Sequence, residues 1–338
     1  MAESRAVPLL EVRDLHVHFA VYGGLLKVLD GVSLVVHRGE KVGLVGETGC
    51  GKTTMMKALL RVLPSSARIP AGEVLFDGRD VLAMSRRDLS GLRGRGISMI
   101  FQDPTAALNP VFTVGEQLET VITHSAAAAG RRVSRRAARR QAEASLEKVA
   151  LADPERLLHS YPVQLSGGMR QRVCIGMALA TGPGLLIADE PGTSLDVTIQ
   201  DQILRLLQAL VNERDASVIL ITHTLGVVRE MTERVYVMYA GNIVEEAGTG
   251  RLFASPMHPY TKGLLQTVPR LTGGGIAAGI PGRIPDYLSP PTGCRFHPRC
   301  PFAMEVCRKN KPPLFHVDNG HDVACFLYEG SASKGAAS

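Results

Sequence analysis

The stretch "LVGETGCGKTT" (residues 44–54) decides the fold. The apolar run that leads into it, "KVGLVG" (41–46), reads as a buried strand. After it, "KTTMMKALLRVL" (52–63) carries a helical period that Pro64 closes. Between strand and helix, Gly46, Gly51, Lys52 and Thr53 satisfy the spacing G-x-x-x-x-G-K-[ST]. Glu47, Thr48, Gly49 and Cys50 complete the loop, and Thr54 continues the helix. Glycines let backbone N–H groups curl around an anion, and the helix points its positive end at the same place. Such a loop holds the phosphates of a nucleotide. Lys52 then reaches the β- and γ-phosphates, and the Thr53 hydroxyl ligates Mg²⁺.

Further along, "LLIADEP" (185–191) supplies the acids this loop lacks. An apolar strand carries Asp189 to its tip, where it can hold Mg²⁺ through water, and Glu190 follows directly. A carboxylate there can act as general base on an attacking water. "QLSGGMRQR" (164–172) is a second small, Gly-rich turn that opens a helix, and so a second anion site. One nucleotide does not need two such turns from one chain. Two chains facing head to tail do, each offering Ser166, Gly167 and Gly168 to the nucleotide on the other's loop.

Around these motifs the pattern alternates. Residues 9–46 read as antiparallel strands, "GEVLFDGRDVL" (72–82) as a hairpin arm, and "ISMIFQDP" (97–104) as a strand ending in polar residues. From about 112 to 181 the period is helical. A helix over "TIQDQILRLLQALVNER", a strand over "SVILITH" and a closing hairpin over "RVYVMYAGNIVEEAG" follow. No internal repeat is visible, so there is one nucleotide module.

The composition is that of an ordinary globular protein: 338 residues, 45% apolar, 21% charged, net charge +6. No apolar run approaches the ~18–20 residues needed to span a bilayer. No signal-peptide pattern opens the chain, so the expectation is cytoplasmic, with any membrane role reached through partners. The basic run "RRVSRRAARR" (131–140) lacks interleaved aromatics and reads as a solvated helix face, not a nucleic-acid site.

Taken in order, the motifs resemble the ATP-binding subunits of ABC transporters over almost the whole length. They are the loop at 46–53, Gln102 in "FQDP", "LSGGM", "LLIADE", "SLD" (194–196) and "ITH" ending at His223. The resemblance implies an α/β fold: a RecA-like P-loop core, an antiparallel β subdomain and a helical subdomain at about 103–181. It implies that Gln102 senses the γ-phosphate and contributes to the Mg²⁺ site, that Asp196 communicates across a dimer, and that His223 steadies the γ-phosphate. An aromatic stacks on adenine, with Phe19 the first choice and Tyr22 the second. Three positions depart from the usual pattern: Met169 ends the signature, Gly192 replaces a threonine, and Thr224 follows His223 in place of an aspartate. None removes a group that contacts phosphate.

The far end narrows the resemblance. "HPYTKGLL" (258–265), "GCRFHPRCPFAMEVC" (293–307) and "HDVACFL" (321–327) are similar to the C-terminal segment of dipeptide and oligopeptide importers. Cys294, Cys300, Cys307 and Cys325 suit a [4Fe–4S] cluster or Zn²⁺ by count, and free thiols in a reducing compartment remain the plain reading. The resemblance favours the cluster. The expected division is therefore 1–250 for the nucleotide module, 251–330 for a small irregular extension with the four-cysteine site, and 331–338 for a disordered tail. The expected role is ATP hydrolysis that powers import of di- or oligopeptides. The partners implied are a second, related ATPase chain, two permease subunits and an extracytoplasmic solute-binding protein, at the cytoplasmic face of the membrane. An importer of nickel or another small solute, and a soluble ABC ATPase, are the alternatives.

Overall fold

The structure, a computed structural model, describes residues 7–193, 195–214, 216–267, 279–318 and 320–330. Ser194 of the "SLD" motif and the expected tail at 331–338 lie outside the described residues. The chain forms two compact units: Met1–Val36 with Lys41–Leu82 and Thr222–Ser338, and His37–Glu40 with Ala83–Ile221.

The first unit holds an antiparallel sheet built on Leu10–Val21, which pairs with Gly24–Val36 on one side and Glu73–Phe76 on the other. Glu73–Phe76 turns back as the hairpin strand Arg79–Asp80. Leu10 and Val12, then, past a register shift, Leu15 and Val17 set the buried face, and each is almost wholly buried. The same unit carries a second set of strands in the order Phe315–Asp318, His321–Val323, Asn242–Gly248, Arg234–Tyr239, Lys41–Val45. Arg234–Tyr239 runs parallel to Lys41–Val45, with Val237 opposite Val45. Residues 251–330 belong to this unit, and Ala247 pairs with His321. The segment that composition marks as irregular therefore adds two strands to the sheet, besides the helices Thr249–Ala254 and Pro259–Gln266.

A buried polar knot fixes that addition. Glu245 has no exposed surface and accepts from the backbone N–H of Met257 at 2.7 Å and of His258 at 2.8 Å, and it meets His321 Nε2 at 2.7 Å. Burial alone would raise its pKa, yet these donors hold it below the ordinary carboxylate value. Above the knot, Tyr239, Tyr260 and Phe296 pack ring on ring, with centroids 4.7 Å apart for the first pair and 5.0 Å for Tyr239 and Phe296.

The second unit is organised on three parallel strands in the order Ser217–Ile221, Leu185–Asp189, Ile97–Ile100. Every residue of the first two is buried, as continuous apolar runs in a covered parallel sheet require. Its helices include Val114–Ala128, Arg135–Lys148, Gly167–Leu179 and Val197–Arg214. Thr113 and Glu116 close the first with a capping box, and Ser134 caps the second. The basic run lies here: Ala138 and Ala142 face inward, while Arg135, Arg136 and Arg140 are exposed.

Candidate functional site

In the first unit, Gly46 ends the strand Lys41–Val45 and Gly51 opens the helix Lys52–Leu59. Both glycines are required by space. A Cβ on Gly46 would sit 2.1 Å from the Met238 carbonyl oxygen, and one on Gly51 would sit 2.8 Å from Leu29. Gly51 also has φ +110°, a left-handed value that side chains disfavour. Gly51 stands at the N-cap and has no side chain to cap the helix start. Lys52 is 6% exposed, and its Nζ donates into the loop, to Gly46 O at 2.7 Å and Glu47 O at 3.1 Å. A buried ammonium facing backbone oxygens inside a glycine cradle suits the phosphates of a nucleotide. Thr48 and Gly49 are exposed at the loop's tip, and Thr53 and Thr54 are half-buried on the helix.

Elsewhere in this unit, Phe19 is half-buried on Leu10–Val21, opposite Leu26 and Ala67. Tyr22 stands fully exposed in the turn that follows. His223 is exposed just before the helix Leu225–Met231.

The second unit brings together two of the expected residues and adds a third. Asp189 is buried at the end of its strand, 3% exposed, and Glu190 follows at φ +46°. That strained conformation costs about 1–3 kcal/mol and clusters at working sites. Glu190 N–H donates to Ile221 O at 2.8 Å, which fixes the turn. Its side chain accepts at one oxygen, Oε2, from Gln102 Nε2 at 3.1 Å and Thr193 Oγ1 at 3.0 Å. Sequence reasoning anticipated Gln102 and passed over Thr193. At Gly192 the structure gives a reason for the missing threonine: a Cβ would lie 2.9 Å from Gln200 Cγ.

Ser166 caps the helix Gly167–Leu179, its Oγ accepting from Met169 N–H at 3.3 Å. Ser166 and Gly167 are exposed and Gly168 is half-buried. Side chains at Gly167 and Gly168 would press on Leu195 and Ile199, at 3.1 and 3.0 Å. Asp196 Oδ1 accepts from Ile199 N–H at 3.0 Å, at the start of the helix Val197–Arg214.

The four C-terminal cysteines lie in the first unit, with Cys307 and Cys325 buried and Cys294 and Cys300 half-buried. Cys294 N–H donates to Cys307 O at 2.8 Å, and Gly293 permits that approach, since a Cβ there would fall 2.3 Å from the same oxygen. Burial pushes the Cys294 thiol up to about 11, and negative charge on Cys307, Cys325 and Cys300 would push it the same way, so the four sulfurs are electrostatic neighbours. Among the described residues no group of three or more His, Cys, Asp or Glu side chains stands in metal-holding geometry. The donor set fits a thiolate-bound centre in kind but is open in arrangement.

Comparison with known proteins agrees with the motifs. The ABC transporter family profile matches residues 29–193, and that of the oligopeptide/dipeptide transporter C-terminal region matches 244–307. The chain is 49% identical over 322 residues to a probable peptide ABC transporter ATP-binding protein, y4tR, of Sinorhizobium fredii, covering 94% of each. It is 46% identical to the dipeptide transport ATP-binding protein DppD of Bacillus subtilis, covering 96% of each. Among solved structures, the ATP-binding cassette MJ0796, dimeric in a post-hydrolysis state with ADP and Pi, superposes with TM-score 0.63 at 27% identity, over 71% of this chain and 98% of that one.

Proposed function

The chain belongs to the ABC transporter family of ATP-binding proteins and hydrolyses ATP; from that premise we propose that it powers peptide import through membrane partners. The observation that carries the chemistry is Glu190, a carboxylate fixed by a strained backbone and by two donors on one oxygen. Glu190 takes a proton from water as the water oxygen bonds to the γ-phosphorus. The bond from that phosphorus to the β-γ bridging oxygen breaks, which yields ADP and phosphate. Lys52 draws the β- and γ-phosphates into the loop. Thr53, Asp189 and Gln102 are the residues that would hold Mg²⁺, and the ion would supply positive charge against the phosphates. His223 steadies the γ-phosphate, and Phe19 stacks on adenine.

Ser166, Gly167 and Gly168 serve the nucleotide of a second ATPase subunit, a related chain, so turnover requires closure of a two-chain assembly. The C-terminal region that matches the oligopeptide/dipeptide profile supports peptides as cargo, as do relatives with peptide-transport names. Two permease subunits and an extracytoplasmic solute-binding protein complete the machine, and the chain works at the cytoplasmic face. No helix among the described residues is long and apolar enough to cross a membrane. Cys294, Cys300, Cys307 and Cys325 are the residues that would hold a [4Fe–4S] cluster, with Zn²⁺ as the competing occupant, and such a centre would order the segment.

Glu190→Gln tests the central step. ATP binding should persist while turnover in the assembled transporter falls on the order of 10²–10⁴-fold. Near-normal turnover would remove Glu190 as the base.

A further inference from the structure

The phosphate loop is gripped from its far side by residues more than 200 positions later in the chain. Arg299 lies between His297 and Cys300, in the short turn that carries the second C-terminal cysteine. Its guanidinium meets the Glu47 carboxylate end-on, Nη1 to Oε2 at 2.9 Å and Nη2 to Oε1 at 3.1 Å. The remaining N–H groups are also placed: Nη1 to Tyr239 OH at 3.3 Å, Nη2 to Ile280 O at 2.9 Å, and Nε to Pro281 O at 2.9 Å. All five donors of this side chain are therefore used, and it is 6% exposed. Glu47 is held a second time, because its backbone N–H donates to Tyr260 OH at 2.8 Å. Tyr287 OH donates to Gly49 O at 2.7 Å. Three side chains of the C-terminal segment thus fix two residues of the loop.

We propose that Arg299 is a positioning residue for ATP: through Glu47 it holds the phosphate loop in its phosphate-receiving shape. Glycine-rich loops gain their freedom at a cost, since an unheld loop must be ordered whenever an anion binds. A bidentate pair on Glu47, beside the Gly46 turn that Lys52 also contacts, removes that cost before nucleotide arrives. The planar five-donor fork is the reason the position is arginine, for a lysine ammonium presents three donors from one point. Tyr287 acts in the same direction at the loop's tip. Arg299 touches no reacting atom, so its effect falls on nucleotide affinity, not on the chemical step. The inference rests on residues 46–53 being the ATP phosphate loop.

The test measures ATP binding to the full chain by equilibrium dialysis and KM for ATP in the assembled transporter. Arg299→Ala should weaken ATP binding by about tenfold and raise KM alike, with kcat changed far less, as expected for loss of one charge-assisted pair. Arg299→Lys should not restore binding. Glu47→Ala combined with Arg299→Ala should bind ATP no worse than Arg299→Ala, because both remove one link. Tyr287→Phe, which deletes a single hydroxyl, should weaken binding about threefold without lowering the melting temperature of the nucleotide-free chain appreciably. Binding within twofold of wild type in Arg299→Ala, or a double variant whose losses multiply, overturns the proposal. Lys52→Ala separates the two readings. If it binds ATP normally, the loop assignment itself is wrong; if it loses ATP while Arg299→Ala binds normally, only the positioning role fails.

Discussion

Gln102 Nε2 lies 3.1 Å from Glu190 Oε2, although 88 residues separate them in the chain. Gln102 follows the strand Ile97–Ile100 and Glu190 follows Leu185–Asp189, and those strands are parallel neighbours, so both residues lie at the same, C-terminal end of the strands. Thr193 reaches the same oxygen from the turn beyond. Two donors on one oxygen fix the plane of the carboxyl group, which is what a base aimed at one water needs.

If Glu190 is the base, as proposed, Thr193 should act as its positioning residue. Thr193→Ala should lower kcat on the order of tenfold with KM for ATP little changed, since a hydrogen bond to a charged group contributes about 1.5–3 kcal/mol. Thr193→Ser should recover most of the rate. Steady-state kinetics of the assembled transporter decide this, and a wild-type kcat in the alanine variant would exclude the role.

The proposed two-chain site predicts a separation of binding from turnover. Ser166→Arg puts a bulky cation where a hydroxyl now caps a helix. ATP should still bind this chain's own loop, while turnover at the partner's nucleotide is lost. Full transporter-rate hydrolysis by an isolated monomer would contradict a two-chain site.

The cysteine segment is checked by composition. Anaerobic purification followed by iron, sulfide and zinc analysis should give iron with inorganic sulfide and a broad absorption band near ~400 nm. Stoichiometric zinc without colour would assign the alternative. Metal-free protein with four titratable thiols in the segment would defeat both.

His258 gives a pH signature. Burial, its largest influence, lowers the imidazole from 6.5 to about 4, against the opposing pull of Glu245. Its Nδ1 accepts from Tyr260 N–H at 3.0 Å, which needs the neutral ring. A folded pKa below the unfolded one means the unfolded chain takes the proton first. Stability is therefore full above pH 6.5 and falls as pH drops towards 4, by on the order of 3 kcal/mol. His258→Asn can still accept at the helix start and should flatten the fall in melting temperature over that window. Parallel curves for the two proteins would show that His258 does not govern it.

The phosphate loop, the acid pair and the signature turn were legible because their chemistry is local. Glycine spacing, a strand before and a helix after are written within a dozen residues of one another. The parallel strands Leu185–Asp189 and Ser217–Ile221 were legible for the same reason, as short apolar runs. Thr193 was not, because it differs from any turn threonine only in which carboxylate it meets. Arg299, Tyr260 and Tyr287 were further out of reach: their partners lie 252, 213 and 238 residues away in the chain. The strands Phe315–Asp318 and His321–Val323 were hidden among prolines and polar residues, since pairing with Asn242–Gly248 makes them strands where propensity does not.

Glu245 has a consequence for the order in which the molecule is made. Its carboxylate leaves water only when Met257, His258 and His321 have all arrived, and His321 is 76 residues downstream. At ribosomal speeds of about 5–20 residues per second, the strand around it waits several seconds for its last donor. A glutamate destined for full burial is best left hydrated until then, so the pairing of Asn242–Gly248 with His321–Val323 is expected to be among the last to form.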